Sequence, residues 1–352
     1  MTSYCYDTAN RLTSATTPGG DSWTYSYDAN GNRTQTTKNG AVVQTQTVNA
    51  ADQLTGTDNS YDSAGNQTDI AGLGTAVYKA DGQMTRLATS TTTSAYTYAG
   101  ADQTELIRET RADGLNNVYA YGRTDANGIP LVKAHTVGLN TLDNTAFLVH
   151  DPQGTPIALR TPDGQVHYYA QDGLGSVTHL TNQDGATTGT YSYDPWGGST
   201  TGQNAVGVTR FNPYGYAGGI DDPNSTLVHF AKRWYDPATG RFTQPDSLET
   251  LGDPSRANRY EYAASNPINY VDPTGLVDCG LAAGAGGILG GIVGAGFGGF
   301  ASGGNPVGAA VGFVKGVTSG YEVTQAVCES NADTAGGRVL DGVEAYFNVD
   351  VL

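Results

Sequence analysis

The chain has 352 residues, with 34 acidic side chains against 18 basic ones, a net charge of -16, and 49 Gly beside 22 Tyr. A chain this acidic repels phosphate backbones, which argues against a nucleic-acid partner held by counterion release. So much Gly with few Leu, Lys and Glu disfavours helix and favours short strands joined by tight turns, so the fold class expected is mainly β.

The N-terminus, Met1 to Leu12, has no basic stretch followed by an apolar one, so no secretory signal is expected. The chain then either leaves the cell by another route or begins inside a longer protein. From Tyr4 a repeat sets in: Tyr4-Cys5-Tyr6-Asp7-Thr8-Ala9-Asn10-Arg11 recurs as Tyr25-Ser26-Tyr27-Asp28-Ala29-Asn30-Gly31-Asn32-Arg33. Tyr61-Asp62-Ser63-Ala64-Gly65-Asn66 is a further clear copy, and decayed ones begin at Tyr78 and Tyr98. Alternating Tyr-x-Tyr puts both aromatics on one strand face. The D-x-x-G-N after it supplies residues that tolerate positive φ and cap turns with their side chains. One repeat of about 21 residues therefore predicts one hairpin, with turns at Asn30-Gly31 and at Asp184-Gly185. Asp28 to Asn32 has the look of a calcium loop, but the twelfth position is Asn39 instead of Glu, so the turn reading stands.

From His167 the same chemistry returns, as Asp172-Gly173-Leu174-Gly175-Ser176 and then Tyr191-Ser192-Tyr193-Asp194-Pro195-Trp196-Gly197. A lone hairpin cannot bury its apolar face, so consecutive hairpins must continue one sheet. His135, His150, His167, His179 and His229 have no ligand spacing, and no metal is expected. Trp23, Trp196 and Trp234 are read as sheet-face packing.

The stretch from Phe230 to Leu276 carries Arg233, Trp234, Tyr235, Asp236, Pro237, Gly240, Arg241, Phe242, Asp246, Tyr260, Tyr262, Asn266, Pro267, Asp272, Pro273, Gly275 and Leu276. In this order these residues closely resemble the core signature of Rhs (YD-repeat) proteins. The resemblance covers residues 1–276 and implies antiparallel hairpins forming part of a spiralling β-shell around the C-terminal segment. It divides the chain into a YD-repeat region, 1–150, the core region, 151–276, and a variable C-terminal segment, 277–352. It also implies self-cleavage after DPTGL, between Leu276 and Val277, by aspartyl-protease-like chemistry without a cofactor. Such chemistry needs two carboxyls at the scissile peptide, one ionised to activate water and one held protonated. Asp246 and Asp272 are the first candidates, Asp236 and Glu261 the weaker ones, and Arg233 or Arg241 could orient an acid through a bidentate pair. Ser247 stands where the signature has proline.

Beyond Leu276 the chemistry changes. No charge occurs between Asp278 and Lys315, and glycines recur at every fourth residue: Gly286, Gly290, Gly294 and Gly298, then Gly304, Gly308, Gly312, Gly316 and Gly320. That spacing puts each ladder on one helix face, the small-xxx-small pattern of helices packed in a membrane. Cys279 and Cys328 flank the ladders and could be joined in an oxidising compartment. The segment has no His and only Lys315 and Arg338 as cations, a poor composition for a nuclease.

The reading is thus the C-terminal part of an Rhs-type polymorphic toxin, secreted or at the cell surface, whose shell holds a small Gly-zipper helical cargo. Its expected partners are its own C-terminal segment, an immunity protein and a target-cell membrane, with no nucleic acid. The alternatives are a non-enzymatic surface protein that binds carbohydrate through exposed tyrosines, and a gene fragment with an inactive tail.

Overall fold

In the computed structural model of the chain, residues 3–276 are described except for 18, 101, 126–127, 139–141, 202–206 and 247–257. Val277, both glycine ladders, Cys279, Cys328 and the helical tail expected from sequence lie outside the described residues.

The hairpin unit forms as the repeat predicts. The Asp28 amide donates to the Asn32 carbonyl (3.0 Å) and the Gly31 amide to the Asp28 carbonyl (3.3 Å). Asp28 Oδ1 accepts the amides of Asn30 and Asn32, both at 2.9 Å. Gly31 sits at φ 83°, and the strand register slips between Ser26 and Tyr27. This is a turn closed by a left-handed residue with a bulge, where glycine avoids the clash that a Cβ would meet. Asp62, Asp172 and Asp194 hold the amides two and four residues on in the same way. The turn at Asp184-Gly185 closes through Asn182, with Gly185 at φ 79°.

Each strand pairs antiparallel with its sequence neighbours. Among the described residues the strands form a five-stranded sheet (residues 3–45), a thirteen-stranded sheet (60–190), a two-stranded ribbon and a four-stranded sheet (220–242). The thirteen-stranded sheet runs past residue 150 without interruption. Its alternation is plainest in Thr93–Ala99, where Ser94, Tyr96 and Tyr98 are buried while their neighbours are not. With a side-chain period of two, one face of the wrapped sheet becomes the core.

That core is filled by residues from within 191–234, which precede and open the core signature. Trp234, fully buried, lies tilted at 45° to Tyr96 with ring centres 4.9 Å apart and donates its indole N–H to Tyr98 Oη (2.9 Å). Leu227, Tyr214 and Phe211 join it against the sheet's inner face. Trp23 and Trp196 are buried together on the five-stranded sheet, as sheet-face packing requires. A second cluster, Tyr216, Phe230, Tyr235, Phe242 and Tyr262, lies within the core region itself.

One buried polar group joins the sheet to this filling. Glu109, on Glu105–Arg111, accepts from Ser94 Oγ (2.6 Å), Asn117 Nδ2 (2.8 Å) and Asn224 Nδ2. Asp222 beside it accepts from Tyr96 Oη (2.7 Å) and Ser225 Oγ (2.5 Å). Burial, then the Asp222 charge, pushes the Glu109 carboxyl up to about 7, and burial raises Asp222 as well. A carboxyl raised on folding binds its proton more tightly in the native state, so its contribution is full at low pH and is lost as pH rises towards the folded pKa. The neutral mimic Glu109→Gln should therefore gain stability relative to the parent as pH rises from about 5 to 8, by ~3 kcal/mol at the upper end. Urea titrations of both chains at the two pH values check this.

Candidate active site

The core-signature sheet gathers two acids around one arginine. Arg233 opens the strand Arg233–Asp236, and its guanidinium lies 3.7 Å from the centre of the Phe242 ring. Nη2 meets Asp246 Oδ2 at 3.0 Å and Asp272 Oδ2 at 3.3 Å. Nη1 donates to the Arg259 carbonyl (3.1 Å) and Nε to the Gly275 carbonyl. The three side chains are 3%, 8% and 0% exposed, so the cluster is closed to bulk water. Asp246 is fixed through its backbone: its amide donates to the Arg259 carbonyl (2.7 Å), and Arg259 Nε donates to the Asp246 carbonyl (2.9 Å).

Asp272 begins a turn with the bonding of the repeats. The Gly275 amide donates to the Asp272 carbonyl (3.3 Å), Gly275 takes φ 68°, and Asp272 Oδ1 accepts the Leu276 amide four residues on (3.1 Å). A Cβ on Gly275 would fall 2.5 Å from the Phe230 carbonyl, so only glycine lets the turn lie this close to the Phe230–Arg233 segment. The Thr274 hydroxyl lies between the Leu276 amide (3.2 Å) and the Leu276 carbonyl (3.4 Å). In the turns at Asp28 and Asp62, Oδ2 of the aspartate accepts from the asparagine four residues on, at 2.9 Å from Asn32 and 2.8 Å from Asn66. At the junction that position is Leu276, and Oδ2 turns to Arg233 instead. Burial drives the Asp272 carboxyl up, Arg233 and the Leu276 amide hold it down, and it comes to rest at about 6. Buried as it is, Arg233 is itself pushed down, with both acids opposing the shift.

The other candidates lie elsewhere. Arg241 does not reach either acid: it donates to Asn32 Oδ1 and to the Asp52 carbonyl and lies over the Tyr260 ring. The reason is strand alternation. Tyr235 faces Phe242 and Asp236 faces Arg241 across the pair, so Arg233 and Arg241 project from opposite faces. Asp236 caps its own turn, accepting from the Ala238 amide (3.0 Å) and Thr239 Oγ1 (2.7 Å). Glu261 accepts from Ser265 Oγ (2.6 Å). The roles of Thr274 and of the Gly275 and Arg259 carbonyls were not expected from sequence, since no motif separates them from ordinary turn residues.

A family model described as Teneurin YD-shell matches residues 1–268. The chain belongs to this YD-shell family. The Rhs resemblance read from the sequence is thereby shown, and so is the mainly antiparallel β-shell architecture. The tRNA3(Ser)-specific nuclease WapA of Bacillus spizizenii is 29% identical over 79% of this chain and 12% of its own length. The double-stranded DNA deaminase toxin A of Burkholderia cenocepacia is 29% identical over 49% of this chain and 11% of its own. The crystal structure of TcdB2-TccC3-Cdc42 superposes on 78% of the chain and 15% of its own, with a TM-score of 0.59 at 16% identity, a likeness of fold. This YD shell thus spans about an eighth of the curated toxins it matches. Two of these relatives are named for action on nucleic acid, in contrast with the expectation of no nucleic-acid partner here.

Within the YD shell, removing the shared cation should cost more than removing either acid. Arg233→Met leaves two buried carboxyls without a counter-charge and should lower stability by ~3–5 kcal/mol. Adding Asp246→Asn and Asp272→Asn should restore most of the loss, as read by urea unfolding of the single and triple variants.

Proposed function

We propose that this YD shell is the C-terminal part of an Rhs-type polymorphic toxin that cuts its own chain after Leu276. The observation that carries the reading is the meeting of Asp246 and Asp272 on one Arg233 nitrogen, with Asp272 bonded to the amide of the residue whose carbonyl would be attacked. Two carboxyls in one water-poor site, one of them raised, suit the division into an ionised base and a protonated acid. In the proposed step Asp246 takes a proton from water, and the water oxygen bonds to the Leu276 carbonyl carbon. Asp272 gives its proton to the departing Val277 nitrogen as the carbon–nitrogen bond breaks. The products are a Leu276 carboxyl and a Val277 amine. Arg233 holds both acids and the Gly275 carbonyl, so that the attacked peptide keeps its place during the step.

The proton on Asp272 sets the pH dependence. Cleavage should slow as pH rises through about 6, because the acid loses its proton there. Asp246→Asn and Asp272→Asn should each leave a folded, uncut chain. A time course on denaturing gels across pH checks both; cutting that persists in both variants would remove the carboxyl mechanism.

For the cargo we propose secretion, a membrane target, and neutralisation in the producer by an immunity protein. Support comes from the two glycine ladders in an uncharged run and from the absence of His in residues 277–352. The inward tyrosines weigh against the carbohydrate-binding alternative: Tyr25, Tyr96, Tyr98, Tyr119 and Tyr191 are all buried. Residues 277–352 should release dye from vesicles, and Gly308→Leu with Gly312→Leu should abolish the release although it raises hydrophobicity.

A further inference from the structure

The proposed cut creates a charge that neither acid meets. As water adds to the Leu276 carbonyl carbon, the carbonyl electron pair moves onto its oxygen, and an oxyanion of this kind is stabilised by a hydrogen-bond donor already in place. The Arg233 nitrogens are directed at the Gly275 and Arg259 carbonyls and at the two acids. Asp272 Oδ1 is occupied by the Leu276 amide (3.1 Å). Among the described residues, the donor that reaches the Leu276 oxygen is the Thr274 hydroxyl, at 3.4 Å. A hydroxyl has one proton and two lone pairs. One lone pair of Thr274 Oγ1 faces the Leu276 amide (3.2 Å), and the proton has two acceptors at equal distance, Asp272 Oδ1 and the Leu276 oxygen, each at 3.4 Å. An ionised Asp272 draws that proton to itself, since the bond to a charged acceptor is the stronger. A protonated Asp272 leaves it to the carbonyl. The state in which Asp272 can act as an acid is therefore also the state in which the hydroxyl is free to serve the attacked oxygen. Its 3.4 Å is long for such a bond, as catalytic hydrogen bonds are before charge develops on the acceptor.

We propose that Thr274 is a further catalytic residue of the cut, its hydroxyl donating to the Leu276 oxygen as that oxygen becomes an oxyanion. The proposal rests on the reading that the chain is cut after Leu276, and it names the group that meets the charge made in that step. The Thr274 proton is shared in a hydrogen bond and never leaves its oxygen. Asp246 takes the proton of the attacking water, and the electron pair rests on the Leu276 oxygen. The pair then returns to the carbonyl as the bond to Val277 breaks and Asp272 protonates the nitrogen. The turn itself does not depend on the hydroxyl, because the Leu276 amide keeps Asp272 Oδ1 and the Gly275 amide keeps the Asp272 carbonyl when Thr274 Oγ1 is removed.

The test separates this role from a merely structural one. Full-length chain is purified at about pH 8, where an ionised Asp272 makes cutting slow, then moved to about pH 5 and followed by intact mass. Thr274→Val keeps the shape of the side chain without its hydroxyl, and Thr274→Ala serves if valine disturbs the turn. Either should cut ~10²-fold more slowly than the parent at the lower pH, where Asp272 is protonated in both chains, with the urea midpoint of the uncut protein unchanged. Thr274→Ser restores the hydroxyl and should cut at close to the parent rate. A hydroxyl that acted only on Asp272 would leave the rate at the lower pH as it is and shift the pH at which cutting falls away. That outcome, or an equal loss in Thr274→Ser and Thr274→Val, overturns the proposal and leaves self-cleavage standing. A parent chain that stays uncut at both pH values overturns the self-cleavage reading, and the role of Thr274 with it.

Discussion

A single buried arginine organises the junction. Arg233 reaches two acids and two carbonyls from a site with almost no solvent contact, and its guanidinium lies over the Phe242 ring. A buried charge of this kind is tolerated only when its partners are complete. The four partners come from three parts of the core signature: Asp246 from the loop after Arg241–Phe242, the Arg259 carbonyl from the 258–262 segment, and Asp272 with the Gly275 carbonyl from the DPTGL turn. The arginine thus fixes the end of the described chain to the sheet that plugs the shell. That plug is in turn tied to the wall by Trp234 on Tyr98 and by Arg241 on Asn32 and Asp52.

The junction is a modified repeat. Asp272 to Leu276 keeps the amide-to-carbonyl bond, the left-handed glycine and the acceptance of the fourth amide that close the turn at Asp28. What differs is the fifth residue. The turns at Asp28 and Asp62 place Asn there and satisfy the second carboxylate oxygen locally, whereas at the junction Leu276 stands there and that oxygen faces Arg233. Asp272 thus keeps its capping bond to the Leu276 amide while it joins the buried cluster, where burial raises its carboxyl and Arg233 opposes the shift.

Much of this was legible in the residues. The Tyr-x-Tyr alternation and the D-x-x-G turns gave strand faces and hairpin ends because both depend on contacts within a few residues. Asp246, Asp272 and Arg233 were legible through the core signature. Arg241 was placed with them because residue type alone does not show which strand face a side chain takes; the Asp236 to Arg241 pairing does. The plug was not legible. Its contacts join residues roughly two hundred positions apart, as Arg241 with Asn32, and no local pattern encodes them.

The central claim is that the Arg233 cluster is a working site and not only a buried ionic tie. Intact-mass analysis of freshly purified full-length chain under denaturing conditions tests it most directly. The account predicts two species whose masses correspond to residues 1–276 and 277–352, together heavier than the uncut chain by one water. A single species at the full mass, after incubation below the pH at which Asp272 loses its proton, would contradict it.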